Sequence, residues 1–271
     1  MILVKPSATI ISCSPDALRL IEDAGRTCYK SEETHDVQVY KLASDPEFQR
    51  QFDDQVPSGD HIEGTLKSYA ETHVTSRFVG GIIKRGHESV IEHASATVRF
   101  ICDRGVSHEL VRHRLAGFSQ ESTRYVNYGD RGCRFVIPPW TPWGEGEYEH
   151  KDGNFLHNGR EIDPHRYEYD NASPGSSNWI LSMADAEARY NELLFLKWSP
   201  QQARSVLPNS TKTEVVMTAN LREWRHVLKL RTSAKAHPQM VEVMTPLLNA
   251  MHKMMPIVFG DILSGAMGEG Q

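Results

Sequence analysis

The order in which helical and strand patterns arrive constrains this chain most. Thr97-Val-Arg-Phe-Ile-Cys alternates in and out, and Arg134-Phe-Val-Ile does so until Pro138-Pro139 stops it, so both read as strands. The first fifteen residues, with Ile2, Val4, Ile10 and Ile11 among small polar ones, read as a strand or hairpin. Ser14-Pro-Asp-Ala then opens a helix, with Ser14 as its cap and Pro15 at the first helical position. Further helical patterns cover 64–87, closed by Gly86, then 107–116, 184–198, 200–207, 221–233 and 240–255. Strands mixed with long helices, without regular βαβ alternation, favour an α+β fold, a mixed β-sheet flanked by long helices. The stretch 138–177, rich in Gly, Pro, Asn, His and acids, is too polar and too long for a simple connection and reads as an insertion or lid. At 271 residues, a single domain over 1–271 is expected.

Charge narrows the function classes. With 39% hydrophobic and 24% charged residues the composition is that of an ordinary soluble protein. No apolar run approaches the ~20 residues of a membrane span, and the N-terminus puts its apolar residues ahead of the charge, the wrong order for a secretion signal. A cytoplasmic protein without a membrane partner is expected. Cys13, Cys28, Cys102 and Cys133 show neither a CxxC nor a zinc-like Cys/His spacing and read as reduced thiols, with no metal expected. A net charge of -5 argues against nucleic acid as partner, so any bound anion must meet a local cluster of base. Residues 104–134 hold one, six arginines against Glu109, Glu121 and Asp130.

Four segments stand out. In Arg112-His113-Arg114, read as helical, the side chains fan over about 200° and need at least two separate partners. The following Ser119-Gln-Glu-Ser-Thr123 carries no apolar anchor but many hydrogen-bonding groups, suited to a small phosphorylated or heterocyclic ligand; a basic helix end paired internally with Glu109 and Glu121 is the alternative. In 220–231, Leu221, Trp224, Val227, Leu228 and Leu230 fall on one helical arc, and Arg231, about 20° from Asn220, points into it. A guanidinium there needs a carboxylate, carbonyl oxygens or an anionic ligand. His87-Glu-Ser89-x-x-Glu92-His93 is not a zinc motif, since its histidines are six apart instead of four. Arg204, ahead of Val-Leu-Pro208, sits where a helix C-terminus favours a cation.

Together these segments resemble the flavin-dependent thymidylate synthase family, whose signature is Arg-His-Arg, seven residues, then Ser-x-Arg. Here that is Arg112-His113-Arg114, residues 115–121, then Ser122-Thr-Arg124, joined by the His87 block, Arg204 and Asn220-x-Arg222 leading to Leu230-Arg231. The resemblance implies the fold of the thymidylate synthase-complementing proteins and methylation of deoxyuridine monophosphate (dUMP) to dTMP. It implies tightly held FAD, with NADPH and 5,10-methylenetetrahydrofolate as co-substrates, and a homotetramer with shared active sites. Catalytic roles fall to Arg231, Ser122 and Arg112. Contacts to dUMP fall to Glu109, Arg112, Gln120, Glu121, Ser122, Thr123, Arg124, Arg204 and Arg231. Contacts to FAD fall to Cys28, His87, Ser89, Glu92, Arg112, His113, Arg114, Ser119, Asn220, Arg222, His226 and Leu230. Glu109 stands where several relatives have Gln, and Cys28 where a small Ser is common. A flavoprotein of the same fold acting on another pyrimidine nucleotide, and a non-catalytic nucleotide-binding or nucleic-acid-binding protein using the basic patch of 104–134, are the alternatives.

Overall fold

The first thirteen residues serve two different sheets. In the computed structural model, which describes residues 1–56, 64–151, 154–163 and 173–268, β1 (Ile2–Val4) joins a five-stranded sheet and β2 (Ser7–Cys13) an edge of a four-stranded one. The expected N-terminal strand or hairpin is therefore two strands that do not pair with each other, because each finds its ladder with a distant segment. The chain divides into two compact units built from interleaved stretches: unit 1 is Met1–Ile11, Thr97–Thr218 and Leu230–Leu247, and unit 2 is Ser12–Ala96, Ala219–Lys229 and Leu248–Gln271.

In unit 1, β1 pairs in parallel with β5 (Arg134–Val136), Leu3 opposite Phe135, and antiparallel with β6 (Gly146–Lys151). The sheet continues through β7 (Asn154–His157) and β8 (Arg160–Ile162). The polar stretch 138–177 thus supplies three strands, and its Trp143, Tyr148 and Phe155 are buried with Leu3, Phe135 and Ile137; its residues 152–153 and 164–172 lie outside the described ones. The helix expected from Ala184 begins ten residues earlier, since Ser173 accepts from Ser176 N and Pro174 takes the first position of α6 (Pro174–Phe195). Its Ile180, Met183 and Tyr190 complete this core.

The four-stranded sheet runs β2–β3–β9–β4, where β3 is Ser95–Asp103, β4 is Ala116–Gln120 and β9 is Lys212–Asn220. Two sequence expectations fail here for physical reasons. The helix expected over 107–116 is α5 (Arg104–Leu110), capped by Asp103, whose carboxylate accepts from Val106 N at 2.6 Å. Beyond Leu110 the apolar residues are Val111 and Leu115, both exposed, so a longer helix would bury nothing, whereas β4 gains a place in the sheet. The motif arginines consequently stand on a turn, not fanned around a helix. Strand β9 went unread although Val215, Met217 and Ala219 alternate inward.

In unit 2, α1 (Ala17–Tyr29) begins two residues later than read: Ser14 does not cap it but accepts from Ser95 N at 2.9 Å, and Asp16 precedes the helix with φ of 45°. Next come α2 (Thr34–Ala43) and α3 (Pro46–Gln55), both unread, then α4 (Thr65–Lys84), ended as expected near Gly86, whose φ of 74° suits glycine. A 3-10 turn spans Glu88–His93. Later elements are α7 (Pro200–Ala203) in unit 1, α8 (Leu221–Arg231), α9 (Pro238–Met254) and α10 (Pro256–Gly268). Within unit 2, Glu22 is fully buried. It accepts from Arg26 Nε at 2.7 Å and Thr75 Oγ1 at 2.5 Å, and His35 Nδ1 lies 2.9 Å away.

Candidate active site

Unit 1 carries most of the residues singled out from the sequence. Arg231, at the last turn of α8, keeps only 15% of its side chain exposed. Its apolar setting is answered within the unit: Nη1 donates to the Glu109 carboxylate, Nη2 to the Glu109 carbonyl at 3.1 Å and Nε to His113 Nε2 at 3.0 Å. Because a guanidinium only donates, this geometry assigns the His113 proton to Nδ1. Arg112 and Arg114 are exposed on the turn, and their side chains have no hydrogen bond or ion pair among the described residues. Leu230 is also exposed, 47%, which takes it out of the apolar arc read for this helix.

A second grouping forms a cleft of about 530 Å³ lined by Arg104, Thr123, Gln201, Arg204, Ser205, Leu207, Pro208 and Thr211. Among the described residues no acidic side chain lines it. Arg204 Nη1 donates to Thr123 Oγ1 at 3.0 Å and Arg104 Nη1 reaches Thr213 Oγ1 at 3.5 Å, so both cations have neutral partners. Guanidiniums in a hydroxyl-lined, carboxylate-free hollow suit an anion. Arg124 donates from Nε to Gln201 Oε1 at 2.9 Å, beside the cleft, and Ser122 Oγ accepts from Arg124 N at 3.3 Å. Gln120 donates to Ser107 Oγ at 3.0 Å and Thr213 Oγ1 at 3.2 Å, and Ser119 next to it is exposed. Glu121 is paired with Lys212 and Tyr128, and neither Glu109 nor Glu121 pairs with an arginine of the motif turn.

In unit 2 the other flavin candidates surround the 3-10 turn. His87 Nδ1 lies 3.1 Å from Tyr29 Oη, and Cys28, exposed on α1, donates from Sγ to the Ala24 carbonyl. Arg222, half exposed, pairs with Glu92 at 2.5 Å; Ser89, on the 3-10 turn, is exposed. Asn220 Oδ1 accepts from Glu223 N at 2.8 Å, capping α8, and His226 is exposed on that helix. Arg225, unread in the sequence, is buried and forks onto Asp261, with Glu88 at 3.2 Å.

The profile of the family described as thymidylate synthase complementing protein matches residues 9–257. Flavin-dependent thymidylate synthases of Corynebacterium efficiens and Mycobacterium marinum are 34% and 32% identical, each over 75% of this chain and 76% of the relative. The chain belongs to the thymidylate synthase complementing protein family. Solved structures share its fold. A UMP/dUMP methylase, PolB of Streptomyces cacaoi bound with 5-Br dUMP, superposes with TM-score 0.60 at 21% identity, over 98% of this chain and 97% of that one. Thymidylate synthase X of Helicobacter pylori, with FAD and dUMP, gives 0.56 at 20% identity, over 95% and 99%.

For a member of this family, sequence reading missed Arg104, Gln201 and Lys212. In the sequence Arg104 is one of six arginines of the basic cluster with nothing to set it apart, and only the structure puts it at the start of α5. Gln201 follows Pro200 in a short helix with no motif of its own. Lys212 opens the unread strand β9. Among the described residues no group of three or more His, Cys, Asp or Glu side chains is placed to hold a metal, and no helix is long and apolar enough to cross a membrane.

Proposed function

We propose that this chain methylates dUMP at C5 of the uracil to give dTMP, as an FAD-dependent thymidylate synthase taking its carbon from 5,10-methylenetetrahydrofolate and its reducing equivalents from NADPH. The observation that carries this reading is the acid-free cleft holding Arg104, Arg204 and Thr123, in a chain whose family match runs from residue 9 to 257. A nucleotide phosphate there balances both guanidiniums and accepts from the hydroxyls of Thr123 and Ser205, with Ser122 and Arg124 at its edge. Arg231, already oriented by Glu109 and His113, offers a planar fork to the uracil and stabilises the negative charge that develops as hydride adds. When bound, the reduced flavin supplies that hydride.

The residues present fit a dinucleotide cofactor. Arg112 and Arg114 in unit 1 present unpaired charge to a diphosphate, and in unit 2 the exposed His87, Ser89 and Arg222 offer donors to polar ring edges. His113, Ser119, Glu92, Asn220, His226, Leu230 and Cys28 complete the proposed contacts. Exposed Tyr125, Phe195, Leu196 and Trp198 in unit 1 support assembly as a homotetramer with shared sites, since a partner copy would cover them. The family match spans stretches of both units, which supports one functional domain over 1–271. A cytoplasmic location completes the reading.

The test is tritium release from dUMP labelled at C5. Release with dTMP formation is expected only when folate, NADPH and FAD are all present, and dTMP made in heavy water should carry deuterium in its methyl group, because hydrogen delivered by a flavin first exchanges with solvent. No release from dUMP rejects the substrate; release without deuterium rejects the flavin as hydride source.

A further inference from the structure

The loop after β4 is closed on itself by a single carboxylate. Glu121 is 17% exposed, and each of its oxygens is held: Oε1 accepts from Tyr128 Oη at 3.0 Å and Oε2 from Lys212 Nζ at 2.9 Å. Its amide donates to the Glu214 carbonyl at 2.8 Å, fixing the residue to β9. Lys212, 8% exposed, shares its charge with Glu214 at 2.5 Å. At the far end of the loop Tyr128 is buried, and its amide donates to Tyr190 Oη at 3.3 Å. Between these ends run Ser122 to Asn127, tied at their middle by Arg204 to Thr123 and by Arg124 to Gln201.

We propose that Glu121, Lys212 and Tyr128 form a clamp that presets the loop 122–127, making Glu121 a positioning residue that acts through the loop and not on the nucleotide. This rests on reading Ser122, Thr123 and Arg124 as nucleotide-phosphate contacts. A loop of six residues left open at one end would have to be ordered when the nucleotide binds, and that lost freedom would appear as weaker binding; closing it beforehand removes the cost. The chemistry of the clamp favours permanence. Burial first, and the Glu121 charge second, push the Tyr128 phenol above its ordinary value, so it remains a donor at neutral pH. The Glu121 carboxylate is held at both oxygens by the chain itself, so its orientation is set by Tyr128 and Lys212 before any ligand arrives.

The test uses the full-length, flavin-loaded protein and the variants Tyr128→Phe, Glu121→Ala and their combination. Tyr128→Phe removes one hydroxyl from a ring that stays packed, so it keeps the test readable if Glu121→Ala fails to fold. Each single variant should raise KM for dUMP about tenfold, the worth of a charge-assisted hydrogen bond, with kcat within about twofold. The double variant should be no worse than the poorer single, because both substitutions open the same clamp. Amide hydrogen exchange over 122–127, in protein without nucleotide, should quicken about tenfold in each, while exchange in α6 stays as in the parent. Raised KM in Glu121→Ala with parental KM and exchange in Tyr128→Phe, or additive effects in the double variant, would overturn the clamp. Faster loop exchange in a protein whose parent does not bind dUMP would uphold the clamp and reject the nucleotide reading instead.

Discussion

Arginines in the two units are answered in opposite ways. In unit 2, Arg26 is 3% exposed and the chain meets its donors from several sides: Glu22 accepts from Nε, the Ser31 carbonyl and Thr34 hydroxyl from Nη1, and Gln38 from Nη2, while Phe78 lies 4.5 Å from the guanidinium carbon. In unit 1, among the described residues, the side chains of Arg104 and Arg204 donate to threonine hydroxyls, and Arg112 and Arg114 project from a turn with no side-chain partner. The first pattern is a closed ion network, whose charge is balanced before anything binds. The second leaves positive charge unbalanced in a protein of net charge -5, and an anionic ligand is what would balance it. Arg231 stands between the two, balanced by Glu109 yet keeping a rim of exposure.

The sharpest way to break the contrast is to move Arg231 from one class to the other. Arg231→Lys keeps the charge but cannot donate at once to His113 and to both the carboxylate and carbonyl of Glu109. Turnover should fall by about 100- to 1,000-fold, the range for losing a preorganised donor at a developing anion, with flavin content and melting temperature near the parent's. Steady-state turnover at saturating dUMP decides it. Parental turnover would make the Arg231–Glu109–His113 group structural, like the network around Glu22.

Glu22→Gln probes the other side. Removing the charge leaves Arg26 buried without its counter-ion, which should cost about 3–5 kcal/mol of stability in denaturant unfolding. Turnover per folded, flavin-loaded molecule should stay within about twofold. Acid titration supplies the sign. Burial pushes the Glu22 carboxyl up, but hydrogen bonds from Thr75, His35 and Arg26 outweigh it and hold it below its ordinary 4.5. Its folded value is depressed, so its contribution is fully present above about pH 4.5 and is lost as pH falls through the folded value. Parent protein should therefore lose stability below that pH more steeply than Glu22→Gln. Equal slopes would mean that Glu22 does not hold unit 2 together by its charge.

The same contrast marks what was legible in the sequence. Arg231 was placed correctly because helical periodicity is a local property: the apolar arc from Leu221 to Leu228 exists in the structure, and the arginine inside it does need partners. Which partners those were depended on Glu109, 122 residues away in the sequence. The Arg112–Arg114 turn was misread as helix because its polar residues carry no period of either kind, and β9 was overlooked because Lys212, Thr213 and Glu214 mask the alternation behind them. Glu22, Arg26, His35 and Thr75 went unread for a related reason: they lie on three helices, two of them close in sequence and the third far along it, and no single window holds them all.

The smallest expected effect comes from the cysteines, and it sharpens the comparison by removing a rival chemistry from both units. A thymidylate synthase working through a covalent bond to uracil C6 needs a thiolate, and a thiolate needs a nearby cation, a helix N-terminus or a base. Cys102 and Cys133, in unit 1, are buried: burial first, and then Asp103 or Glu187, push each thiol up to about 12, outweighing the smaller pull of Arg104 and Lys212 on Cys102 and of the N-terminal ammonium on Cys133. Both thiols therefore stay protonated at neutral pH. In unit 2, burial raises the Cys13 thiol too, and Cys28 sits on the exposed side of α1, donating to its own helix. The combined variant Cys13→Ser, Cys28→Ser, Cys102→Ala and Cys133→Ala should keep turnover within about threefold, with its losses confined to packing at the two buried sites and to flavin retention near Cys28. Complete loss of turnover in a folded, flavin-loaded variant would place a thiol in the chemistry and take from the arginines of unit 1 the role assigned to them.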